Sequence, residues 1–142
     1  MSIKENLENI FLNTALVEYK ESRNRKSKMA DINNISYIYL CVIYKELQTT
    51  VSKIASELQV SKPYVTNQIN ILVKKGLVHK IQSKLDKRVY FLEVDTEVKD
   101  YFDEGEVELN DLIQGIEKEF SKEKIEAFDE ILEFINNNIS LK

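Results

Sequence analysis

Between Ser61 and Lys75 the chain reads SKPYVTNQINILVKK, and its polar side chains are an unusual set for a helix surface. Lys62, Tyr64, Thr66, Asn67 and Asn70 can donate or accept hydrogen bonds in fixed directions, where a face meant only for solvation generally carries Glu and Lys. A carboxamide offers a donor and an acceptor side by side, the complement of the major-groove edge of adenine. A lysine reaches phosphate or guanine, and the Thr66 methyl suits the methyl of thymine. Ser61, with the unpaired N–H groups of a helix start behind it, suits a phosphate oxygen.

A second set lies just downstream. Lys80, Lys84, Lys87 and Arg88 are opposed only by Asp86. Arginine exploits the negative potential of a narrow minor groove better than other side chains. Asp86, two residues earlier, is placed to fix the guanidinium by paired hydrogen bonds. A surface ion pair of little consequence would need the same residues. The position directly after a polar-faced helix favours the functional reading.

These side chains need elements to hold them. Val65, Ile69 and Leu72 recur at helical spacing, Ser61 is a good N-cap, Pro63 falls in the first turn, and Gly76 suits the far end. The pattern predicts a helix over about 61–75 with one buried face. Before it, Thr50 caps a helix over Val51–Leu58, and Val60 in the short turn between them is expected to tuck inward. After it, Leu77–Gln82 and Arg88–Val94 read as two strands joined by a five-residue tip, so the wing covers about 83–88. Upstream, 3–21 forms an amphipathic helix, and 34–47 is apolar on nearly every side, the mark of a helix covered by other elements. Thr96 is expected to cap a long helix and Ser121 a last one, with Gly105 and Gly115 as kinks or close packing points. The basic segment Arg23–Lys28 reads equally as a solvated loop or as a lateral phosphate contact.

Composition bounds the alternatives. The 142 residues are 43% apolar and 31% charged, with three Gly and one Pro, which fits an ordered, mainly helical chain. One cysteine, Cys41, leaves no internal disulfide, and one histidine, His79, leaves little for zinc or for a catalytic triad. No metal, cofactor or enzymatic activity is expected. There is no transmembrane run and no signal-like start, so a cytoplasmic protein without a membrane partner is expected. The charge is segregated. Residues 45–90 hold nine basic and three acidic side chains, net +6, whereas 91–142 hold five and sixteen, net −11. A basic middle third inside an acidic chain points to a polyanion.

Helix, tight turn, helix and basic hairpin is the order of a winged helix-turn-helix, a ridge sized for the major groove. On the run VSKIASELQVSKPYVTNQINILVKKGLVHK, the Asp86-Lys87-Arg88 element and the capped helix after the second strand, the chain resembles the MarR family of bacterial transcriptional regulators. The resemblance implies a mainly α fold with a small β-hairpin: a winged helix-turn-helix DNA-binding core over 32–95 and a helical dimerisation region over 1–22 and 96–142, all one domain. It implies major-groove roles for Lys62, Tyr64, Thr66, Asn67 and Asn70, with Asp86 and Arg88 as the minor-groove pair of the wing. Ser61, Lys84 and Lys87 join them as expected DNA contacts. Asn67 stands where many members carry Arg, and His79 where another basic residue is usual, which suggests a site leaning toward A/T.

The terminal helices carry more apolar stripe than a small winged domain can cover. Leu7, Ile10, Phe11, Phe120, Ile125, Phe128, Leu132, Ile135 and Ile139 are the expected dimer contacts, giving a two-fold homodimer on palindromic double-stranded DNA, with a repressor expected. Family resemblance also implies a small-molecule effector. Cys41, flanked by Tyr37 and Tyr44 on one helical face, reads as core packing rather than as a redox sensor, with no cation adjoining it in sequence. The competing function is a winged-helix module that binds protein instead of DNA.

Overall fold

In a computed structural model, which describes residues 1–139, the chain divides into two compact units, the first from Met1 to Asp100 and the second from Tyr101 onward. The element order is α1 (Ile3–Asn24), a 3₁₀ turn (Ser27–Met29), α2 (Asn34–Lys45), α3 (Val51–Leu58), α4 (Lys62–Lys74), β1 (Val78–Gln82), β2 (Tyr90–Val94), α5 (Thr96–Glu119) and α6 (Lys122–Ile139). This is the mainly helical chain with one hairpin that the sequence predicts. The last three residues of the expected dimerisation region, 140–142, lie outside the described residues.

The first unit is built around α2. Asn33 caps it by accepting from the Ser36 N–H at 2.8 Å, and Tyr39, Leu40 and Ile43 are buried. Its opposite side is not covered, however: Ile35 and Ile38 stay nearly half exposed in the single chain. The Thr50 hydroxyl accepts from Lys53 N–H and starts α3, whose Ile54 and Ala55 enter the same core. Val65, Ile69 and Leu72 of α4 are completely buried against it. Gly76, at φ +73°, ends α4 in a left-handed cap that favours glycine, and Leu77 N–H then donates to Leu72 carbonyl at 2.9 Å.

The hairpin pairs Val78 with Val94, Lys80 with Leu92 and Gln82 with Tyr90 in antiparallel register. Leu92 N–H also donates to Thr49 carbonyl at 3.0 Å, so the segment before α3 is tied to the sheet edge. The strands are shorter than expected, and seven residues rather than five separate them. Ser83 N–H donates to Val89 carbonyl and Val89 N–H to Asp86 carbonyl, which folds the tip into turns instead of extending β2 back to Arg88.

Two further expectations are corrected and two open readings are narrowed. Val60 is exposed, because the turn is closed by main-chain bonds: Gln59 adopts φ 54° and Val60 N–H donates to Ala55 carbonyl at 3.1 Å. Thr96 is the first helical residue of α5 and not its cap; the Asp95 carboxylate accepts from Glu97 N–H at 3.3 Å. A Cβ at Gly105 or Gly115 would meet nothing within 4 Å among the described residues, so neither packs closely within the single chain. Arg23–Lys28, open between a solvated loop and a lateral phosphate contact, is not wholly a solvated loop, although Arg23 and Lys26 remain exposed. α1 runs through Asn24, and Arg25 is buried, paired with Glu18 and stacked 4.1 Å above the Tyr37 ring. A charged side chain tolerates such burial only when paired and stacked, as here.

Lys28 from the same segment reaches Asp95 Oδ2 at 3.1 Å, while His79 Nε2 lies 2.8 Å from Asp95 Oδ1. Asp95 thus joins the 3₁₀ turn, β1 and the start of α5, and His79 has an acid partner that its sequence neighbours do not reveal. The bond with His79 is the chief cause that holds the Asp95 carboxyl down at about 2; burial opposes it, and Lys28 and Glu97 N–H add to it. A carboxyl lowered on folding stabilises the fold above its ordinary range near 4, and that contribution disappears as pH falls toward 2. Asp95→Asn is therefore expected to lose on the order of 1–2 kcal/mol at pH 7. In urea unfolding, the gap between variant and wild type should narrow steadily between pH 4 and pH 2. A gap independent of pH in that window would assign the loss to shape instead of charge.

Candidate nucleic-acid interface

The polar ridge is held from behind and open in front. The Ser61 hydroxyl oxygen accepts from Tyr64 N–H at 3.3 Å, leaving its O–H to donate outward. With Val65, Ile69 and Leu72 fully buried, α4 cannot roll. Lys62, Tyr64, Thr66, Asn67, Asn70 and Lys74 are all exposed, as the spacing predicts. None of the hydrogen-bonding side chains of the ridge is spent on the core.

The wing tip is organised by a residue that sequence reading passed over. Ser83 is buried, and its hydroxyl accepts from the N–H groups of Leu85 and Asp86 at 3.2 and 3.3 Å. This turn aims Asp86 at Arg88. Arg88 Nε and Nη2 donate to the two Asp86 oxygens at 3.1 and 3.0 Å, and Arg88 N–H donates to Oδ1 at 3.0 Å. These bonds hold the Asp86 carboxyl below its ordinary range and raise the guanidinium above its own. The Arg88 side chain is 90% exposed, so the pair adds little to stability; what it fixes is direction. Lys84 and Lys87 flank it in solvent, and Gln82 Nε2 donates to Lys87 carbonyl at 2.8 Å. Lys80 differs from the other basic residues of the wing. Its ammonium donates to Asn70 Oδ1 at 2.9 Å and so joins β1 to the ridge. The signal for this was the two-residue period of a strand, which sets Lys80 on the same side as the buried Val78.

Residues 32–90 match the family model described as the MarR family. Those residues form a MarR-family domain. Over 96% of its length and 94% of the other chain, the whole chain superimposes on Streptococcus pneumoniae FabT, crystallised in complex with DNA, at TM-score 0.72 and 26% identity. The adhesin competence repressor AdcR of Streptococcus pyogenes follows at 18% identity, 98% coverage of both chains and TM-score 0.66. MepR of S. aureus, crystallised with ethidium bromide, matches at 21% identity, 93% and 96% coverage and TM-score 0.59. No curated protein matches the chain. That MarR-family domain has the ridge and cationic hairpin of a DNA-binding transcription regulator.

The MarR-type hairpin leaves two other features of the first unit to be placed. Burial pushes the Cys41 thiol up, and its bond with Tyr37 offsets this only in part. A reactive cysteine needs the opposite shift, so the structure favours packing at this position. A cavity of about 550 Å³ opens beside the end of α2 and β2, lined among others by Ile43, Tyr44, Leu47, Leu92 and Lys99.

The expected dimer contacts are open in the single chain. Ile10, Phe11, Phe120, Phe128, Leu132 and Ile139 are exposed, and Leu7, Ile125 and Ile135 are half-buried. Neither α1 nor α6 buries a single residue. Such a continuous apolar exposure is far beyond scattered surface leucines. Among the described residues no helix is long and apolar enough to cross a membrane.

Proposed function

We propose that this chain is a transcriptional repressor that acts as a homodimer on a palindromic operator. In each half-site α4 enters the major groove and the wing, about 83–88, enters the adjacent minor groove. The observation that carries this reading is the bidentate Asp86–Arg88 pair, which presents a pre-aimed guanidinium beside a ridge of exposed amides. Lys62, Tyr64, Thr66, Asn67 and Asn70 then face base edges, while Ser61, Lys84 and Lys87 face phosphates. The winged core spans 32–95, and 1–22 with 96–142 supply the dimer contacts. The wide apolar exposure of α1 and α6 supports a second copy as its cover. FabT bound to DNA supports duplex DNA as partner, and MepR with ethidium supports a small-molecule effector, for which the cavity beside Tyr44 is the place to look. The protein works without catalysis, in the cytoplasm.

The test is selection of bound duplexes from a random pool with purified protein. An inverted repeat should emerge with half-sites about one helical turn apart. Asn67→Ala should relax preference at one position per half-site by ~1–3 kcal/mol and leave the others unchanged. Failure to enrich any sequence, with binding indifferent to salt, would instead favour a protein-binding winged helix.

A further inference from the structure

The Lys80–Asn70 bond has a consequence for what the ridge reads, and the inference rests on α4 being a major-groove helix. An ammonium has three donors and no acceptor, so the Asn70 atom facing it at 2.9 Å must be the carbonyl oxygen. This settles the orientation of the amide on chemical grounds. Reading adenine needs both ends of a carboxamide: the oxygen accepts from the adenine N6 amino group while the nitrogen donates to N7. With Oδ1 drawn back toward β1, Asn70 offers mainly Nδ2 to the groove. The two donor hydrogens of Nδ2, with the acceptor turned away, complement guanine, whose N7 and O6 are both acceptors.

We propose that Lys80 is a specificity-determining positioning residue, which turns the Asn70 amide so that this position of each half-site reads as guanine and not adenine. The bond is charge-assisted, roughly twice as strong as one between neutral groups. Nothing comparable holds Asn67 among the interactions of the described residues, so two asparagines three apart on one helix take different partners. Spacing alone treats them as equivalent.

The proposal can be tested in the free protein and on DNA. In the free protein, Lys80→Met should shift the Asn70 side-chain amide resonances strongly and leave those of Asn67 nearly in place. Unmoved Asn70 signals would overturn the proposal while leaving DNA binding intact as a reading. On duplexes that vary one base at a time, wild type should prefer guanine over adenine at the Asn70 position by roughly tenfold. Lys80→Met should erase or reverse that preference with other positions unaffected, and Lys80→Met combined with Asn70→Ala should discriminate there no less than Asn70→Ala alone. Uniform weakening at every position, with the salt slope reduced by about one, would make Lys80 a phosphate contact and overturn the assignment. If wild type binds no duplex, the major-groove reading falls and this proposal with it. That result is distinct from the resonance test. Thermal melts of the single variants guard against misfolding, since Lys80 and Asn70 are both exposed.

Discussion

Arg88→Ala should weaken binding to the selected operator by about ten- to a hundredfold, the range of ~1–3 kcal/mol that a well-placed arginine commands. Two losses contribute. One cation fewer reaches the backbone and minor groove, so the slope of log affinity against log salt should fall by about one. The second loss is of orientation. In the folded protein the guanidinium is already held by two side-chain bonds and a main-chain bond, so little of its freedom is given up on binding. Arg88→Lys separates the two. It keeps the charge but not the planar fork, and should recover the salt slope without recovering most of the affinity. Asp86→Ala gives the converse: the cation stays but its aim is lost, and a several-fold weakening is expected even though a negative charge has been removed from the interface. If Asp86→Ala bound more tightly than wild type, simple charge would outweigh orientation and the pre-aimed wing would be wrong. Stability should barely move in any of the three, since the pair is a surface one.

The second large effect is expected at α6. Phe128, Leu132, Ile135 and Ile139 recur at steps of four, three and four, a continuous seam that the single chain leaves largely uncovered. A second copy would close it. Leu132→Asp puts an unpaired carboxylate into that closed seam, at a cost of several kcal/mol, and should convert a dimer at micromolar concentration into a folded monomer. Operator affinity should then fall by about a hundredfold or more, because one winged helix makes too few base contacts to bind alone. Sedimentation and circular dichroism read the two parts separately. Salt adds an independent check. Residues 91–142 carry net −11 in each copy, so screening should tighten the dimer while it loosens DNA binding. A variant that stays dimeric would move the interface away from this seam.

The local parts of the site were legible because they are written in neighbouring residues. Ser61 capping Tyr64, Thr50 capping Lys53 and Arg88 bonding Asp86 all act over two or three positions, where backbone geometry alone brings the groups together. The buried face of α4 was legible for the same reason, since a 3.6-residue repeat needs no knowledge of what covers it. Errors came where a local pattern had two solutions. Thr96 and Asp95 are both capable caps, and the aspartate prevails because its carboxylate is also drawn in by His79 and Lys28. Val60 is apolar, yet the left-handed Gln59 beside it closes the turn without help from a side chain.

By itself, then, the sequence determined the helices, the caps at Thr50 and Ser61, the exposed polar face of α4 and the Asp86–Arg88 pair, along with the segregation of charge that suggests a polyanion. Only the tertiary structure decided that Arg25 is buried on Tyr37, that Asp95 ties together segments up to 67 residues apart, and that Lys80 occupies one end of Asn70 across ten residues. The division has a physical cause. Hydrogen bonds within a helix turn or a tight hairpin follow from two dihedral angles per residue. Those between distant segments depend on how the whole chain doubles back, which apolar burial fixes only once every element is in place.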